Sequence, residues 1–136
     1  MFSHIVLGTN DLSAAIAFYD PVMATLGYAR LDTGDTHAGY GKAADIGRGQ
    51  NCLWINAPLD GRPATSGNGT NIALLAKDRQ AVDAFHAAAM DQGARDEGAP
   101  GIRAEVHPNF YAAYCRDPDG HKLVIVCHEE LSEAAA

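Results

Sequence analysis

The chain states one pattern twice. With His4 set over Asn71, Ile5 falls over Ile72, Leu7 over Leu74, Asp11 over Asp78, Ala14 over Ala81, Ala17 over Ala84, Phe18 over Phe85 and Met23 over Met90. Self-similarity at a fixed offset is the mark of a supersecondary unit made twice, so any fold for this chain must accommodate two like halves. The first polar position breaks the match: His in one copy, Asn in the other.

Periodicity gives the content of each copy. In "HIVLG" His4, Val6 and Gly8 alternate with Ile5 and Leu7, and in "NIALLA" Asn71, Ala73 and Leu75 alternate with Ile72 and Leu74, so both copies open as strands. A polar turn with Asp follows, then an alanine-rich stretch where Ile16 and Tyr19, or Val82, Phe85 and Ala89, recur at helical spacing. This predicts helices near 11–26 and 79–92, ended by Gly27 and Gly93, since glycine tolerates the left-handed residue at a helix C-terminus. Three further strands are expected in each copy: "YARLD", "HAGYGKAADIG" and "NCLWINAP", then "ARDEG", "FYAAYCRD" and "KLVIVCH". "DPDGHK" makes the tight turn before the last of them.

The predicted class is therefore α+β: one domain over 1–136, built from two βαβββ units, about 1–58 and 70–130, that form an open curved mixed sheet. The Gly-, Pro- and Ser-rich segment 59–69 reads as the linker, and the alanine-rich end after Glu130 reads as frayed. At 136 residues the chain suits one compact unit. No apolar run approaches the roughly 20 residues that span a bilayer, so no membrane partner is expected. The N-terminus starts a strand pattern without a basic region and apolar core ahead of it, so no cleaved signal is expected and the compartment reads as cytoplasmic. Cys52, Cys115 and Cys127 sit in apolar strand runs and read as reduced structural thiols. The net charge of −7 is spread along the chain and its ten basic residues are scattered, which argues against nucleic acid.

The duplicated βαβββ order, the opening "HIVL", the FYxxxxxxLG helix in "AIAFYDPVMATLGY" and the near-terminal "DPDGHKLVIV" resemble the vicinal oxygen chelate superfamily of glyoxalases, extradiol dioxygenases and bleomycin-resistance proteins. The resemblance implies two curved sheets around a small-molecule cavity, often completed as a homodimer. It also implies, in metal-dependent members, ligands from the first and last strands of each unit. Those positions here carry His4, Trp54, Asn71 and Val124, and only His4 is a strong transition-metal donor. No cofactor is therefore expected.

Replacement donors would have to come from His37, His107, Tyr111 or His128. His128 shares a strand face with Val124 and Val126 and is either a cavity-rim residue or a polar strand end. His107, in "HPNFYAAY", is either a ligand contact near the cavity mouth with Tyr111 or a solvated loop residue. His4 is either a ligand contact or a core-edge histidine bonded to backbone or to Asn71. Trp54 either fills core volume or stacks on a ligand, and Tyr40 and Tyr114 share that ambiguity. His37, His86 and His121 read as exposed polar residues. No nucleophile elbow, phosphate loop or Cys–His pair is present. The expected ligand site is thus His4, Trp54, Asn71, His107, Tyr111, Val124 and His128. The expected function is metal-independent binding of, or action on, a small, partly aromatic or apolar molecule. The alternative is a metal-dependent lyase, isomerase, dioxygenase or thiol transferase with a rearranged site.

Overall fold

Each copy of the repeat becomes a strand, a helix and three strands in the computed structural model, which describes residues 1–131. The first copy runs β1 (His4–Gly8), α1 (Leu12–Ala24), β2 (Ala29–Thr33), β3 (His37–Gly41), a short α2 (Ala43–Ile46) and β4 (Cys52–Asn56). The second runs β5 (Asn71–Leu75), α3 (Arg79–Asp91), β6 (Arg95–Ile102), β7 (Tyr111–Arg116) and β8 (Lys122–Cys127). Among the described residues no helix is long and apolar enough to cross a membrane. The terminus expected to fray lies mostly outside the described residues.

The residues that repeat in sequence are the ones that punctuate the helices. Asp11 and Asp78 are N-caps whose carboxylates accept the backbone N–H of Ala14 at 3.1 Å and of Ala81 at 2.8 Å. Gly27 and Gly93 adopt φ of +84° and +77°, and the N–H that follows each bonds back to Met23 and Ala89 carbonyls at 3.1 and 3.0 Å.

Two four-stranded mixed sheets result, in the orders β1-β4-β3-β2 and β5-β8-β7-β6. In each, the first strand pairs in parallel with the last, His4 beside Cys52 in one and Asn71 beside Lys122 in the other. One face of each sheet meets the helices. Ile5, Leu7, Leu53 and Ile55, with Ile72, Leu74, Leu123 and Ile125, pack with Phe18, Val22, Val82 and Phe85 in a single core. The other face is open. There Val6 is 51% and Leu75 68% exposed, while Ala112, Val124 and Val126 form a small second cluster beneath Phe110 and Tyr114.

Four local expectations are corrected. "HAGYGKAADIG" is not one strand: β3 stops at Gly41, and Ala43–Ile46 turns into helix, where Asp45 gathers Arg48 and Asn51. β6 continues past "ARDEG" to Ile102 with register shifts around Gly98; as an edge strand it accommodates Pro100 without losing an inner ladder bond. His121 is not exposed but 6% accessible, with Nε2 donating to the Gly8 carbonyl at 2.6 Å. His86 is also largely covered and bonds Asp96 at 3.1 Å. The three thiols are buried and unpaired, and burial pushes Cys115 up to about 12.

The DPDGH turn joins the units. Asp117 is buried; one carboxylate oxygen accepts the Tyr19 hydroxyl at 2.6 Å and the other accepts the N–H groups of Asp119 and His121 at 3.0 and 2.8 Å. Asp119 accepts the Asn10 N–H at 2.8 Å. Burial, partly offset by the Tyr19 bond, holds the Asp117 carboxyl above the usual carboxylate range. Asp117→Ala strands three donors and is expected to lose on the order of 3 kcal/mol in urea unfolding. Because the folded pKa is the higher one, the unfolded chain deprotonates first as pH rises. The stability difference between wild type and Asp117→Asn should therefore be most favourable to wild type below the ordinary Asp range and shrink as pH climbs through the folded value. A difference that grows with pH refutes this assignment.

Candidate functional site

β1 and β5 are edge strands of the two sheets, and the seam between the units ends differently at its two ends. At one end the Gly8 carbonyl is met by His121. The strand registers place Asn51 in the first unit where His121 stands in the second, since each directly precedes the residue paired with the first strand's start. Asn51 is shorter, adopts φ of +53° and turns its N–H to the Ser3 carbonyl at 2.6 Å. No counterpart of the His121 imidazole fills that end.

A cavity of about 400 Å³ lies there. Ile5, Met23, Leu53 and Leu74 supply apolar walls, Tyr40 a ring, and His4 and Asn51 polar groups. The Tyr40 hydroxyl is already committed to Asp20 at 2.7 Å, and burial with that bond raises it above the usual tyrosine range, so this residue offers the cavity a ring and not an acid. Arg30 grips the same Asp20 at 3.0 and 3.2 Å. His4 is differently set. The Ser3 hydroxyl donates to the Gly49 carbonyl at 3.1 Å, so its 2.8 Å contact with His4 Nδ1 is an N–H donated by the imidazole. Nε2 of neutral His4 is thereby left as an acceptor.

The profile of the Glyoxalase/Bleomycin resistance protein/Dioxygenase superfamily matches residues 1–125. The chain belongs to this superfamily. It is 34% identical to a glyoxalase/bleomycin resistance protein from Albidiferax ferrireducens T118, covering 95% of this chain and 99% of that one with a TM-score of 0.82. It shares its fold with a superfamily enzyme from Burkholderia phytofirmans PsJN, at 23% identity, 93% and 98% coverage and TM-score 0.69. The same holds for lactoylglutathione lyase from Agrobacterium tumefaciens, at 20% identity, 93% and 92% coverage and TM-score 0.63. No curated protein matches the chain.

The four positions that hold metal in metal-dependent superfamily members do not fit an ion here. His4 is exposed and lines the seam cavity, whereas Asn71 lines a separate polar hollow with Arg116 and Lys122. Val124 is 4% exposed and has no donor atom. Trp54 lies across Gly39, where a β-carbon would run into its ring, and faces His37 at 6.1 Å between ring centroids. Among the described residues no group of three or more His, Cys, Asp or Glu is placed to hold a metal.

The remaining sequence candidates divide. His107 and His128 are brought together, Nε2 to Nδ1 at 2.8 Å, with the Phe110 ring edge-on to both at 5.5 Å. The Asn109 N–H donates to His107 Nδ1, so His107 Nε2 carries the proton given to His128. Tyr111 points to the helix side, donating to Asp83 at 2.5 Å beneath Arg79; burial and that carboxylate push its hydroxyl up to about 12. Tyr114, three residues on, takes the open face instead. Of the seven residues, only His4 lines the seam cavity. Met23, Leu53 and Leu74 escaped sequence reasoning because they read as ordinary core, and Tyr40, read as either core or ligand contact, does line the cavity. The one available signal was Asn51 standing where the other copy has His121.

Trp54 is the single tryptophan, so fluorescence reports its packing directly. Gly39→Ala is expected to push the indole off the sheet, shift its emission to the red and cost about 1–3 kcal/mol. An unchanged spectrum with unchanged stability contradicts the stacking.

Proposed function

We propose that the chain is a metal-independent member of the superfamily that binds, or acts on, a small, partly aromatic or apolar molecule in the seam cavity. The observation that carries the reading is the cavity itself: about 400 Å³, walled mainly by apolar and aromatic side chains, with an imidazole acceptor at its edge. Such a site selects by apolar burial and orients by one or two polar contacts. A ligand hydroxyl or N–H would donate to His4 Nε2, and the same nitrogen is suited to take up a proton. Metal independence is supported by the donor chemistry at His4, Trp54, Asn71 and Val124.

The probe is 1-naphthol, a flat apolar ring system with one hydroxyl. Calorimetry is expected to show saturable binding, weakened about tenfold by Ala73→Phe, which narrows the cavity, and several-fold by His4→Ala, which removes one hydrogen bond. Binding that ignores Ala73→Phe sinks the reading. A metal-dependent reading draws on one observation, the convergence of His107 and His128, and elemental analysis of the purified protein separates the two. Substoichiometric metal is the expected result. Stoichiometric metal lost in His107→Ala or His128→Ala would put the metal-dependent reading first.

The open sheet faces, with Val6 and Leu75 exposed, also support a homodimer. Light scattering at micromolar concentration is expected to give about twice the 14.3 kDa chain mass. A monomer at that concentration counts against it.

A further inference from the structure

The end of the seam where Asn71 stands opens onto a polar hollow of about 320 Å³. Ser66, Thr70 and Asn71 line it from one side, Arg116 and Lys122 from the other, and no carboxylate lines it. In a chain of net charge −7, two cations facing one recess are a local reversal of sign. The guanidinium is fixed in place: Arg116 Nε donates to Glu97 at 2.9 Å and Nη1 to the Gly120 carbonyl at 2.9 Å, leaving Nη2 outside both bonds. Glu97 is held below its usual range first by the Arg116 bond and also by the charges of Arg95, at 3.3 Å, and Lys122, so one carboxylate is shared among three cations. Lys122 forms no ion pair among the described residues; its ammonium lies 5.5 Å over the Tyr114 ring, which Arg103 approaches at 5.3 Å. Two cations therefore flank Tyr114 on the open face of the second sheet, beside the positioned guanidinium of Arg116.

We propose that this hollow is an oxyanion site that takes a phosphate group, free or esterified to a small molecule. Lys122 provides a charge without an ion pair among the described residues, Arg116 a positioned one, and the Asn71 amide with the Ser66 and Thr70 hydroxyls provides neutral donors, a mixture that matches a tetrahedral dianion with several acceptor oxygens. The change from His to Asn between the two copies then has a use. Asn offers a neutral N–H donor beside two cations at every pH, where an imidazole would add a charge that comes and goes. The proposal is independent of the seam cavity and of any ligand bound there.

Calorimetry with inorganic phosphate at ionic strength held constant with chloride tests it, and phenyl phosphate distinguishes an ester from the free ion. Saturable phosphate binding is expected, weakened about tenfold in Lys122→Met and a few-fold in Asn71→Ala. Amide chemical-shift changes on phosphate addition should centre on residues 66–71, 116 and 122, a readout that needs no variant to fold. No effect beyond that of chloride, equal affinity in Lys122→Met, or shift changes centred elsewhere would each overturn the proposal.

Discussion

The fold depends on a turn of five residues that reaches from the second unit into the first. Asp117 binds Tyr19 of α1, Asp119 caps the Asn10 N–H just before it, and His121 closes on the last carbonyl of β1. Each contact is polar, and two of the side chains are buried, so each is worth more in place than it would be in water, and more costly if left unpaired. The apolar core between α1 and α3 holds the units together, but apolar contact is not directional. The turn supplies the register in which one unit sits on the other.

That clasp has no counterpart at the pseudo-equivalent end of the seam, and the difference follows from a few residues. Where the second unit has Asp117 and His121, the first has Gly47 and Asn51, and its turn folds back on the N-terminal segment through Ser3. One end of the seam is thus a joint and the other a cavity. Duplication gives two equivalent places; a bulky side chain closes one and serves stability, and its absence at the other leaves the cavity in which we propose a ligand binds. Of the four positions aligned with metal donors, three hold something else: a stacked indole, a buried valine and an amide beside two cations.

The strand and helix order was legible because both periods are strong and because Asp11, Asp78, Gly27 and Gly93 mark the helix ends with the residues that geometry requires. Less was legible where a third dimension decides. Tyr111 and Tyr114 lie three apart on one strand and so face opposite ways, but which of them faces the helices is set by pairing with β8. His121 in a DPDGH turn reads as solvated until β1 is brought to it. The short α2 was hidden because four residues are too few for periodicity to register. The seam cavity was least visible of all, being defined by a side chain that is missing and by walls that look like any core.

The bond from His121 to Gly8 links residues 113 positions apart. During synthesis β1 leaves the ribosome early, and its final carbonyl stays without this partner until almost all of the second unit has followed. At ribosomal speeds of about 5–20 residues per second that wait lasts roughly 6 to 23 seconds, far longer than a helix or hairpin takes to form. The first unit can assemble its helix and local strands in that interval, but its edge strand remains open to other chains. The carbonyl that ends β1 is therefore among the last groups of the first unit to find its partner.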